Sequence, residues 1–197
     1  MEKKKIAIFA SGSGSNAMKL IEFFHDSQII DVALILTNNQ DAGILKKSAG
    51  LVEQVVISNE EASNGMLLKK IMDAHKIDYI VLAGYLRKIP DELIDAFPDR
   101  IINIHPALLP KYGGKGMYGM NVHEAVFENR ETKSGITIHL VNNQYDKGRI
   151  LVQVETALTQ KDSPQDIRQK VLKIEHQYFP KVVNEYIQAR IIDEIIL

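Results

Sequence analysis

Short apolar runs alternate with stretches of helical spacing along the first half of the chain. Ile6-Ala-Ile-Phe-Ala10 is continuous and apolar, as a strand buried on both faces should be. Beyond it, Ala17, Leu20, Ile21 and Phe24 recur at the spacing of one helix face. Val32 to Leu36 reads as a second strand and Val55 to Ile57 as a shorter third. A helical stretch from Met66 to Ala74 leads to strands at Tyr79–Ala83 and Ile101–Ile104. Strand–helix–strand repetition of this kind predicts an α/β fold with a doubly wound, mostly parallel sheet flanked by helices.

The second half breaks that rhythm. Gly135 to Val141 and Ile150 to Glu155 read as strands about a turn at Asp146-Lys-Gly148. So short a link suits a hairpin, which predicts an antiparallel strand in the C-terminal half. Ser163 suits the N-cap of the last helix and Pro164 its first position. Pro180 falls within that helical pattern and is expected to kink or end it. With no internal repeat and no low-complexity linker, a single domain over residues 1–197 is the economical expectation.

Composition changes the picture only by exclusion. The chain has 197 residues, 45% of them apolar and 25% charged, an ordinary globular balance. A chain of this length buries roughly 70% of its unfolded surface, enough for a core without staples. The formal net charge of -1 supplies no global field for nucleic acid, and Lys3-Lys-Lys5 reads as a solubilising run. Without cysteine there is neither disulfide nor thiolate chemistry. The six histidines show no ligand spacing, so no metal is expected. No apolar stretch has the length of a membrane span or of a leader's apolar region, and the expected location is the cytoplasm.

Two segments carry candidate chemistry. Gly12-x-Gly14-x-x-Ala17 lies between the first strand and the first helix, and formally fits a dinucleotide fingerprint. A dinucleotide site also wants an acid at the end of the second strand, which here reads Thr37-Asn-Asn39. What survives is a set of backbone N–H groups at a helix N-terminus, suited to an anion such as a phosphate monoester. Gly14, Ser15 and Asn16 would hold it, against the plainer reading of a glycine turn with Ser15 as N-cap.

The other segment is Ile102-Asn103-Ile104-His105-Pro106. Strand periodicity puts Asn103 and His105 on one face, at the carboxyl end of a strand where ligands of open α/β sheets bind. Asparagine can donate to a carbonyl oxygen, and histidine can donate or move a proton near neutral pH. The pair suits acyl-type transfer, where an oxyanion develops on a tetrahedral centre. A histidine that merely bonds a turn carbonyl is the even alternative.

The ordered set Ser13-Gly-Ser-Asn16, Leu82-Ala-Gly-Tyr-Leu-Arg87, Asn103-Ile-His-Pro-Ala-Leu-Leu-Pro110, Gly135-Ile-Thr-Ile-His139, Tyr145-Asp-Lys-Gly148 and Glu175-His176 resembles the glycinamide ribonucleotide transformylases, within the formyltetrahydrofolate-dependent formyltransferase family. The resemblance runs from the first strand to about Pro180. It implies a formyltransferase-like, Rossmann-type fold, and transfer of a formyl group from 10-formyltetrahydrofolate, as co-substrate, to the amine of 5'-phosphoribosylglycinamide. Asn103 and His105 would then polarise the formyl group, with Asp146 completing the trio and favouring a cationic imidazole. The backbone of Gly14, Ser15 and Asn16 would hold the substrate phosphate and Glu175 the ribose. Leu86, Arg87, Ile89 and Val141 would line the folate pocket, and His139 would pack behind the site.

Partners are then small molecules, with no nucleic acid and no membrane, for a monomer or homodimer. The loop Lys111–Gly119 departs from the family by its length and glycine content, and Lys147 stands where a glycine is usual. No basic residue matches one often found before the Met66 helix. A formyltetrahydrofolate hydrolase would share the core but normally adds an N-terminal regulatory domain. An initiator-tRNA formyltransferase would need a further C-terminal domain and a basic surface. A non-catalytic nucleotide-binding module would lack part of the Asn103–His105–Asp146 set.

Overall fold

A computed structural model describes residues 2–196. Its centre is a seven-stranded sheet of β1 (Lys4–Phe9), β2 (Ile30–Thr37), β3 (Glu53–Val56), β4 (Tyr79–Leu82), β5 (Ile101–His105), β6 (Lys133–Leu140) and β7 (Ile150–Ala157), in the order β3-β2-β1-β4-β5-β6-β7. Every pairing from β3 to β5 is parallel. Strand β6 runs antiparallel to both β5 and β7, and is the one reversed strand of the seven. The parallel neighbours and the antiparallel C-terminal strand expected from the sequence are both present.

Strand periodicity divides the core. Ile6, Ile8, Ile102 and Ile104 join α1 (Ser15–Phe24) and α6 (Pro164–Ile196) on one face. Ala7, Phe9 and Ile101 join α3 (Gly65–Ala74) and α4 (Asp91–Ala96) on the other. Full burial of Ile6, Ile8 and Phe9 contributes roughly 1.5–3 kcal/mol each, which explains why β1 reads as an unbroken apolar run.

Helix α6 carries Pro180 in its interior. It opens as expected, because Ser163 Oγ accepts from the Asp166 amide (3.2 Å) and the Asp166 carboxylate accepts from the Ser163 amide (2.9 Å). It does not end at Pro180 but continues to Ile196. A proline inside a helix costs about 3 kcal/mol. Phe179, Val182, Val183 and Ile187 are all buried against the sheet around it, and their burial outweighs that cost. Short helices α2 (Gly43–Lys47), α4 and α5 (Met120–Glu128) are additional to the elements expected from the sequence.

The chain winds outward from β1 to β3, then returns to place β4 on the other side of β1. That reversal opens a crevice at the carboxyl ends of β1 and β4, the place where open α/β sheets bind ligands. The Ser11 amide donates to the Gly84 carbonyl across it (3.1 Å), tying the loops after the two strands together.

Candidate active site

Asn103 and His105 continue the β5 face that begins with the buried Ile101, as strand periodicity requires. Beyond β5, the Thr137 hydroxyl donates to the Ala107 carbonyl (2.7 Å) and accepts from the Leu109 amide (3.0 Å). Thr137 lies opposite His105 and His139 opposite Asn103 in the β5–β6 pairing. The antiparallel neighbour therefore both fixes the loop after β5 and adds a second imidazole to the site.

Asp146 arrives from the turn that follows β6, in a left-handed conformation with φ of 53°. One carboxylate oxygen lies 3.8 Å from His105 Nδ1 and the other 3.7 Å from His139 Nε2. Both gaps exceed a hydrogen bond, so these contacts are electrostatic. The oxygen facing His105 accepts a hydrogen bond from the Gly114 amide at 2.8 Å. Asn103, His105 and Asp146 are thus brought together, with His139 as a fourth member.

The hydrogen bonds fix the tautomers. A carbonyl oxygen only accepts, so His105 Nε2, 2.7 Å from the Tyr112 carbonyl, carries a proton. By the same argument His139 Nδ1, 2.8 Å from the Leu140 carbonyl, carries one. His139 Nε2 then accepts from Asn103 Nδ2 at 3.1 Å, which orients the Asn103 amide. Burial lowers the His105 pKa, and Asp146 and the Tyr112 carbonyl only partly oppose it. Burial thus shifts His105 toward its neutral form, against the pull of Asp146 toward the cationic form expected from the sequence. Burial opposes ionisation of Asp146, while the two imidazoles when protonated, and the Gly114 amide at all times, favour it and hold the carboxyl below its usual range.

The glycine turn after β1 follows from local sterics. Gly14 is the N-cap of α1 at φ 73°, and a Cβ there would lie 2.5 Å from the Ile44 side chain. No side chain caps α1, not even the expected Ser15, so its first-turn N–H groups face the crevice without a side-chain acceptor. The Asn16 side chain turns to the last helix, where Asn16 Nδ2 donates to Glu175 at 2.7 Å. Asn16 Oδ1 is buried without a partner. Glu175 is itself buried, and burial pushes its carboxyl up to about 7 against the opposing effects of Asn16 and Arg168.

A cleft of about 440 Å³ joins these parts, within the range of small-molecule sites. Gly14, Ser15, Asn16 and Glu175 lie along it, and so do Leu86, Arg87, Ile89 and Val141. Leu86 and Arg87 are exposed while Ile89 is buried, and the Leu86 amide donates to Ser11 Oγ at 3.1 Å. The glycine-rich loop contributes Gly114 to Gly119 as the cleft's outer wall.

Sequence reasoning did not anticipate His123 and Arg168 in this lining, nor the Tyr112 carbonyl and Gly114 amide that hold His105 and Asp146. Backbone groups carry no side-chain signature. His123 lies on a helix whose apolar spacing, at Val122 and Val126, was its only signal.

The sequence profile of the family described as Formyl transferase matches residues 4–183. The chain is 42% identical over 196 residues to the chloroplastic phosphoribosylglycinamide formyltransferase of Arabidopsis thaliana, covering 96% of this chain and 67% of that protein. It is 30% identical over 189 residues to the phosphoribosylglycinamide formyltransferase of Bacillus subtilis, covering 92% of this chain and 94% of that one. Among solved structures, glycinamide ribonucleotide transformylase 1 from Symbiobacterium toebii superposes with a TM-score of 0.87 at 26% identity, over 95% of this chain and 89% of that one.

Proposed function

This chain belongs to the formyl transferase family, and on that premise we propose that residues 1–197 form one formyltransferase domain that moves the formyl group of 10-formyltetrahydrofolate to the amine of 5'-phosphoribosylglycinamide, in de novo purine biosynthesis. The observation that carries the reading is the cluster of Asn103, His105 and Asp146 at the carboxyl edge of β5.

The acceptor phosphate rests on the first-turn amides of Gly14, Ser15 and Asn16, and its ribose against Glu175. The folate ring lies along Leu86, Arg87, Ile89 and Val141. As the amine nitrogen bonds to the formyl carbon, the carbonyl electron pair moves onto oxygen. Asn103 has a second N–H free to donate to that oxyanion, because its first is held by His139. His105 Nδ1 takes the proton leaving the amine, directly or through one water, and Asp146 stabilises the imidazolium formed. The same proton then passes to the folate nitrogen as the carbon–nitrogen bond breaks, and His105 returns to its neutral state. No step calls for a metal, and the partners are two small molecules, without nucleic acid or membrane. We assign the chain to the cytoplasm as a monomer or homodimer.

Purified protein mixed with 10-formyltetrahydrofolate and the glycinamide nucleotide should release tetrahydrofolate and formylated nucleotide in equal amounts. Release of formate without the nucleotide would instead identify a hydrolase. Nucleotide binding without turnover would identify a non-catalytic module.

A further inference from the structure

Three histidines line the cleft, and they differ in how their rings are held. His105 and His139 are fixed by the Tyr112 and Leu140 carbonyls. His123, on α5, is 4% exposed, yet its Nδ1 is sealed from solvent without a hydrogen-bond partner. Buried polar atoms are nearly always paired, and one left unpaired beside a ligand cleft points to a partner that arrives with the ligand.

The surroundings of His123 indicate which part of the ligand that is. His123 is electrostatically coupled to both Arg168 and His105. Arg168 is likewise coupled to Glu175, two turns further along the same face of α6. His105, His123, Arg168 and Glu175 thus line one cleft that holds both the reacting imidazole and the carboxylate assigned to the ribose. In the acceptor, the group between the ribose and the amine is a carboxamide. Burial, Arg168 and His105 together push the His123 pKa down to about 4, which leaves a neutral ring with one N–H and one lone pair. Such a ring matches an uncharged amide and adds no cation beside the attacking amine.

We infer that His123 is an acceptor-binding residue whose imidazole hydrogen-bonds the carboxamide linking the ribose to the reacting amine. This assignment rests on the acceptor named under the proposed function. It concerns binding of the acceptor alone, and the folate side of the cleft does not depend on it.

The test compares His123→Leu, which removes both ring nitrogens, with His123→Asn, whose amide can reach the position of Nδ1. His123→Leu should raise the acceptor KM about tenfold or more, the equivalent of one lost hydrogen bond, and move the donor KM by less than about twofold. His123→Asn should recover most of that loss. The melting temperature of the unliganded His123→Leu protein should hold or rise, because an unpaired buried group has been removed. In the wild-type protein, the His123 ring resonances should shift on adding the acceptor and stay in place on adding a folate analogue.

An unchanged acceptor KM, an equal rise in both KM values, or ring resonances indifferent to the acceptor would each overturn the assignment. The resonance measurement decides the matter even if His123→Leu fails to fold. A wild-type protein that neither binds nor formylates the nucleotide would instead remove the functional reading on which this assignment stands. Normal wild-type turnover with indifferent variants would remove only the role of His123.

Discussion

Two glycine-rich loops border the cleft and are built on opposite principles. The turn Gly12–Ser15 is tightly fitted at Gly14, which leaves no room for a methyl group against Ile44. The loop Lys111–Gly119 is fastened at one end and open beyond it. Tyr112 and Gly114 hold His105 and Asp146 through their backbone. By contrast, Gly114, Gly116 and Gly119 all have positive φ and nothing within 4 Å of a built Cβ. In the first loop glycine permits close packing, and in the second it permits backbone conformations that other residues rarely adopt. A site that must hold one ligand firmly while admitting another has use for both.

The largest effect should come from the point where the second loop is fastened. Asp146→Asn keeps the size of the side chain but removes the charge that stabilises an imidazolium at His105. Turnover should fall by about 10²-fold or more, while circular dichroism and melting remain near wild type. Near-normal turnover would remove Asp146 from the proton path and leave it as a loop anchor only.

The first loop should respond in binding instead. Gly14→Ala places a methyl group against Ile44 at a left-handed φ, which costs about 1–3 kcal/mol of backbone strain. The acceptor KM should rise about tenfold or more, with the donor KM much less affected, because the displaced amides serve the phosphate. Equal changes in the two constants would argue against a phosphate on this turn.

Glu175 gives the first loop a pH dependence through Asn16. Its folded pKa, about 7, is raised above the unfolded value, so the folded state holds the proton more tightly. That stability is fully present below about pH 4.5, declines as pH rises from there, and is gone above about pH 7. The size is on the order of 1–3 kcal/mol, or several degrees in melting temperature. Glu175→Gln cannot titrate and should flatten this part of the melting-versus-pH curve. An unchanged slope would show that Glu175 ionises as an ordinary carboxyl.

What the sequence revealed of this architecture follows from the range of the interactions. Periodicity is local, and it placed Asn103 and His105 on one face and found all seven strands. Family likeness supplied Asp146, whose conformation and distance from β5 no local rule could predict. Pairing register is not local, so the placement of His139 opposite Asn103 and Thr137 opposite His105 lay beyond reach. The charge balance of His105 was only half legible for a related reason. A nearby carboxylate could be inferred, but the depth of burial that outweighs it depends on the whole packed site. Pro180 is the same lesson in a helix, where local preference yields to the contacts of Phe179, Val183 and Ile187.

The smallest effect should come from the free part of the second loop. Gly116 has φ of 90° and open space around it, so Gly116→Ala creates no clash but penalises the conformation. If the loop closes over bound ligands through this segment, the variant should bind each ligand singly almost as well as wild type and turn over a few-fold more slowly, since closure would be less favourable. Amide hydrogen exchange reports closure directly. In wild type, protection over Gly113–Gly119 should rise when both ligands are present and rise less with either alone. The donated hydrogen bond of Gly114 to Asp146 sets a boundary within the loop, because that amide is already held. Gly114 should therefore start protected and change little, as should Met117 and Tyr118, whose amides donate to the Gly114 and Gly116 carbonyls (3.1 and 3.2 Å), while Gly116 and Gly119 carry most of the gain. Uniform protection across all seven residues, unaffected by ligands, would make the second loop as fixed as the first and end the contrast between them.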